Sequence, residues 1–171
     1  MIRCCFLLGK WYHTSMKRLL SVHDCEYYSH LLNLLEHFNL DENFKWLLTD
    51  IEAYPHDYDL DLKFTHNEYV ICTHKELISW LRQDDFQWIW GVLSLFKPET
   101  SNDDILKYEL PGIRDEQPGR HLFDDNKPVV QHPLAILELD AEDSTFLCLS
   151  SKEDKYIEIF KLLYPKSVEN I

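Results

Sequence analysis

Residues 86–96 read Phe-Gln-Trp-Ile-Trp-Gly-Val-Leu-Ser-Leu-Phe, a run that is apolar on nearly every position of both alternating faces. A strand with one face in water would alternate apolar and polar residues. One that is apolar on both faces has to be covered on both, so this run predicts a central strand in a layered sheet. Pro98 ends it by removing a ladder donor. Every other segment can then be read for what it contributes around that strand.

Upstream, 19–23 is a short apolar run. From Asp24, the residues Tyr28, Leu31, Leu32, Leu35 and Phe38 recur at helical spacing and predict an amphipathic helix. Residues 44–54 carry the aromatic and β-branched content of a strand ended by Pro55, and an Asp-rich loop is expected after it. Residues 68–72 predict a further strand. Thr73-His74-Lys75-Glu76 is a capping box in which hydroxyl and carboxylate each accept an amide left open at the helix start, and the helix then presents Leu77, Ile78 and Leu81. Ser101 opens a short helix within 101–108. Residues 109–133 hold Pro111, Gly112, Pro118, Gly119, Pro128 and Pro133 and predict a long irregular loop, with a functional and a disordered reading both open.

The chain ends on a predicted hairpin, strands 134–139 and 145–149 around a loop at 140–143. A second capping box, Ser150-Ser151-Lys152-Glu153, then opens a helix that presents Tyr156, Ile159, Phe160 and Leu163 and stops at Pro165. The order β-α-β-β-α-β-loop-β-β-α predicts an α+β fold, a largely antiparallel sheet of about six strands packed by about three helices. At 171 residues a single core is expected, with 16–171 as one domain. Residues 1–15 stand apart: their apolar stretch is broken by Lys10, lacks a small-residue cleavage site and is too short to span a bilayer, and Met16 reads like a chain start. A native start, an N-terminal extension and a mis-assigned start are all open readings of them.

Charge narrows the partners. Thirty acidic against 17 basic residues give a net charge of -13, which repels phosphate backbones and anionic lipid surfaces. Neither nucleic acid nor a membrane is expected as a partner, and a basic protein is favoured; acidity that serves solubility alone is the alternative. The five cysteines, Cys4, Cys5, Cys25, Cys72 and Cys148, are odd in number and form no C-x-x-C, against both a disulfide framework and a zinc ribbon. A reducing cytoplasm fits them, with Cys72 and Cys148 as small core residues.

Several constellations could carry chemistry. Asp57, Asp59, Asp61 and Glu68 stand at calcium-loop spacing, but Leu62 occupies the position that needs glycine and Pro55 replaces an entering helix. Asp61-Leu62-Lys63 has the acid-x-Lys pattern of metal-dependent nucleases, with Asp50 or Glu52 as the second carboxylate. Nine histidines are scattered; His30 and His37 lie two turns apart. No Gly-rich phosphate loop, G-x-S-x-G or H-E-x-x-H occurs. No catalytic residue, metal ligand or cofactor is therefore assigned. The distinctive feature is aromatics set among acids: Trp80, Trp88, Trp90, Tyr54 and Tyr58 near Asp57, Asp59, Asp61, Asp84 and Asp85. Most of the tryptophans should pack in the core, and any aromatic left exposed would be an anchor beside a negative rim.

The runs Phe44-Lys45-Trp46, Glu52-Ala53-Tyr54-Pro55, Phe86-Gln87-Trp88-Ile89-Trp90-Gly91 and His132-Pro133-Leu134 resemble those of uncharacterised small acidic bacterial α+β proteins. In size, acidity and lack of a catalytic motif the chain is also similar to immunity proteins of bacterial toxin systems. That resemblance transfers no site residue; it implies an acidic surface that covers a basic partner such as a toxin nuclease. The expected function is therefore a cytoplasmic, antitoxin-like inhibitor that is not an enzyme, with Asp57, Tyr58, Asp59, Asp61, Asp84 and Asp85 as partner-binding residues. A metal-dependent hydrolase using Asp57, Asp59, Asp61 and Glu68 and a non-catalytic scaffold are the alternatives.

Overall fold

The computed structural model describes residues 17–21, 29–113, 129–142 and 146–170. The proposed extension at 1–15 lies outside them, as do 24–28 of the first predicted helix and 114–128 of the long loop. The described elements are β1 (Lys17–Ser21), α1 (Leu32–His37), β2 (Lys45–Ala53), α2 (Tyr58–Thr65), β3 (Tyr69–Thr73), α3 (His74–Gln83), β4 (Trp88–Phe96), α4 (Asn102–Ile105), β5 (Leu137–Glu142), β6 (Phe146–Ser151), α5 (Asp154–Leu163) and β7 (Val168–Asn170). The fold is α+β. Its strands form one sheet in the order β3-β2-β4-β5-β6-β1-β7, antiparallel at every pairing.

The run at 86–96 supplies β4, which lies inside the sheet between β2 and β5 with residues 91–96 all buried. Its odd-numbered residues Leu93 and Leu95 join Trp46 and Leu48 of β2, Leu137 and Leu139 of β5 and Leu147 and Leu149 of β6 on one face. Onto that face pack Leu34 and Leu35 of α1, Leu77, Ile78 and Leu81 of α3 and Tyr156, Ile157 and Phe160 of α5. Each such side chain withdrawn from water contributes about 1.5–3 kcal/mol, so this layer dominates the stability of the fold. Gly91 belongs to the same packing: a Cβ there would come within 2.9 Å of the Trp88 ring.

The opposite face is built differently. The register sets Leu47, Ser94, Glu138, Ser150 and Arg18 side by side across five strands, and Thr49, Val92, Asp140 and Cys148 in the next row. Ile105 of α4 and Val130 and Ala135, from the described residues before β5, close on Leu47 and Phe96. Polar side chains fasten that cover. The Glu138 carboxylate accepts from the amides of Gln131 (2.6 Å) and His132 (2.8 Å) and from the Ser94 hydroxyl. Arg18 donates to Ser150 Oγ and to the Val129 carbonyl. On the other flank Asp50, at φ 50° in an irregular stretch of β2, accepts from the Ile113 amide at 2.7 Å.

Several expectations need correction. There are seven strands and five helices among the described residues, against about six and three. The Asp-rich segment is helix α2, not a loop: Asp57 caps it by accepting from the Leu60 amide, and Leu60 and Phe64 bury one side. Of the first predicted helix, the described part is the short α1, and Ser29 is instead held in a bridge to Trp88. Asp140, Ala141 and Glu142 belong to strand β5 rather than to a hairpin loop, and all are buried. The capping box at Thr73 and Glu76 forms, and Ser101 caps α4. The one predicted at 150–153 does not: Ser150 is a buried strand residue, and Glu153 takes the N-cap position without a side-chain bond.

Candidate functional site

The loop that leaves β2 and the loop that leaves α3 meet at one end of the sheet. Pro55 terminates β2, and the next residue, His56, gives its amide to Asp84 Oδ2 at 2.7 Å and sets its ring Nδ1 against the same oxygen at 2.9 Å. The Tyr54 amide donates to the Gln87 carbonyl. These bonds bring the start of α2 beside the end of α3, so the two acidic segments, 57–61 and 84–85, form a single rim. Asp57, Tyr58 and Asp59 are exposed and Asp61 is half-exposed. Lys63, the only cation of α2, lies 4.7 Å from the centroid of the Trp80 ring, where it is drawn onto an aromatic face.

The aromatic component of the rim is tyrosine. Trp46 and Trp88 are fully buried, and the two remaining described tryptophans, Trp80 and Trp90, are half-buried. Tyr58 is 70 % exposed and Tyr54 60 %, each an amphipathic ring of the kind that anchors protein interfaces. Glu52 Oε1 lies 3.4 Å from the Tyr54 hydroxyl.

Asp84 and Asp85 are neighbours in different environments. The His56 amide, opposed in part by burial and helped by the His56 ring, holds the Asp84 carboxyl below its ordinary range, so it stays charged. Asp85 is pushed up by burial despite His30 beside it; the His30 Nδ1–H donates to the Asp85 carbonyl at 2.6 Å. Of the six residues expected to bind a partner, Asp57, Tyr58 and Asp59 are exposed on the rim, and Asp61, Asp84 and Asp85 are half-buried in it.

The metal readings find no such support. Asp57 is occupied as a helix cap, α2 turns Asp59 and Asp61 to different sides, and Glu68 lies beyond the helix. Asp50 is engaged with the Ile113 amide. Among the described residues no group of three or more His, Cys, Asp or Glu could hold a metal ion. Cys72 and Cys148 are buried thiols, and burial raises both above the ordinary range, which leaves them poor nucleophiles. Among the described residues no helix is long and apolar enough to cross a membrane.

Two polar features escaped sequence reasoning. One is the row of buried carboxylates on β5, where the alternation of residues 137–142 signals a two-faced strand but not that its acidic face is covered. The other is a cleft of about 720 Å³ between the turn after α1 and helix α3, with His74 in its wall. Comparison with protein-family models, with curated proteins and with solved structures finds no match to any of them.

Proposed function

We propose that the chain is a non-catalytic, cytoplasmic binding protein that covers the basic surface of a protein partner, in the manner of an immunity or antitoxin-like inhibitor of a toxin nuclease. The observation that carries this reading is the convergence of 57–61 with 84–85 around the exposed Tyr54 and Tyr58, secured by the two His56 bonds to Asp84. A negative rim with aromatic anchors suits capture of a cationic surface: the charge steers encounter, and the rings supply buried contact. The net charge of -13 extends the same field beyond the rim.

The test is an affinity pull-down of the tagged protein from its own host, washed at graded salt and read by mass spectrometry beside the variant Tyr58→Ala/Asp59→Lys. Both substituted side chains are exposed, so the variant should fold as the parent does. One basic protein recovered stoichiometrically, released as salt rises, and bound at least about tenfold more weakly by the variant is the expected result. Recovery of no basic protein, or of one that the variant holds equally well, overturns the reading.

A further inference from the structure

The cleft beside α3 is lined by a buried imidazole with a fixed proton. His74 is 7 % exposed, and its Nδ1 lies 3.2 Å from the indole Nε1 of the fully buried Trp46. An indole nitrogen only donates, so Nδ1 is the acceptor and the ring proton sits on Nε2. Burial, and after it the charge of Arg82, hold the imidazole below its ordinary range, so it is neutral at pH 7. The Trp46 bond leaves the Nε2–H as the ring's remaining donor, and the residue lines the cleft.

The rest of the lining is ordered by the helix. Lys75 pairs with Glu42 at 2.8 Å at one end, and Arg82 pairs with Glu36 at 2.9 Å at the other. Between them the floor is Leu40 and Ile78. The seven-residue rise from 75 to 82 sets the two charged ends about 10 Å apart along the helix. The lining carries two carboxylates and two cations, so its formal charge is zero. A net anion would enter against the field of a chain of charge -13, whereas a ligand with both charges would not. Both ion pairs are largely exposed, and such pairs exchange partners at little cost.

We propose that this cleft binds a short zwitterionic peptide of about three residues with an apolar central side chain. Its carboxylate lies against the Arg82 guanidinium, whose planar fork suits a carboxylate, and its ammonium against Glu42. The central side chain covers Leu40 and Ile78, and a backbone carbonyl accepts from His74 Nε2–H. An extended tripeptide spans about 10 Å, the separation of the two ends. The cleft lining shares no residue with the acidic rim.

The probe is Ala-Leu-Ala, titrated into the full-length protein and followed by the Trp46 indole N–H resonance, which reports on the far side of the His74 ring. A saturable shift is expected, weakened roughly tenfold by Arg82→Gln or Glu42→Gln and by acetylating and amidating the peptide ends. Unchanged resonances of the other indoles show each variant to be folded. No saturable shift with the free peptide overturns the site. Equal binding of the blocked peptide overturns its zwitterion specificity, and equal binding by both variants overturns the placement.

Discussion

The two faces of the sheet are held by different physics. The face toward α1, α3 and α5 is a continuous apolar layer running from Leu19 to Phe160, held by burial, which is non-directional and insensitive to pH. Among the described residues the other face has a small apolar cluster around Leu47 and Phe96. Much of the remainder is polar and buried: Ser94, Glu138, Asp140, Glu142, Ser150 and Arg18. Such groups are tolerated only where they are hydrogen-bonded, so that face depends on direction and protonation. One layer supplies most of the stability; the other uses side-chain bonds to fix where the chain runs.

The largest expected effect falls on the apolar layer. Phe160 is fully buried, with its ring centroid 4.6 Å from that of Tyr164. Phe160→Ala should cost about 3–5 kcal/mol through lost transfer energy and the cavity left behind. It should read as a lower urea midpoint at unchanged slope, with the same loss at pH 5 and pH 8. A loss that varied strongly with pH would break the division between the faces.

The next effect belongs to the polar layer. Burial, reinforced by the nearby Asp140 charge, pushes Glu138 from 4.5 to about 7 in the folded protein. The folded state therefore holds this proton more tightly than the unfolded chain. The stabilisation is complete below pH 4.5 and is lost as the pH rises through about 7, a change of roughly 3 kcal/mol. His74 and His132, which burial keeps neutral, act in the opposite sense, adding stability as the pH rises toward 6.5. The informative quantity is thus the difference between the native protein and Glu138→Gln, measured by urea unfolding from pH 4.5 to 8. That difference should change steadily across the window; a constant difference would mean that Glu138 does not titrate there.

How much of this was legible in the sequence follows the same division. Strands β2, β3 and β4 and helices α3 and α5 are legible from composition and periodicity and, for α3, from its capping box, signals that lie within a dozen residues. The capping box at Thr73 was read because all its parts are local. Helix α2 was missed because three aspartates in 57–61 suggested a loop; the contrary signal was Leu60 with Phe64 one turn on, above an Asp N-cap. Strand β7 is three residues long, too short for any periodicity. The rim residues are legible as acids and aromatics, but their convergence depends on His56 meeting Asp84, 28 residues away. The bond from Trp46 to His74 also spans 28 residues. Pairings that rest on the register of β2 against β3 leave no local trace.

The smallest effect tests how tightly the apolar layer is fitted. Gly91 sits opposite Ala141 in the pairing of β4 with β5, two small residues side by side on the face that carries Trp88. A methyl at residue 91 would lie 2.9 Å from Trp88 Cε3 and 3.2 Å from Cζ3. The Trp88 ring has little freedom to retreat: it is fully buried, and Phe64 and Phe86 lie against it with centroids at 5.8 and 5.5 Å. No positive φ is involved, so the cost is overpacking rather than backbone strain. Gly91→Ala should therefore destabilise by about 1–3 kcal/mol, against the usual gain from replacing glycine within a strand. Thermal unfolding checks the sign. A stabilised variant would mean that the layer yields around Trp88, and that the contrast between a close-fitted apolar face and a bond-directed polar one is weaker than the packing implies.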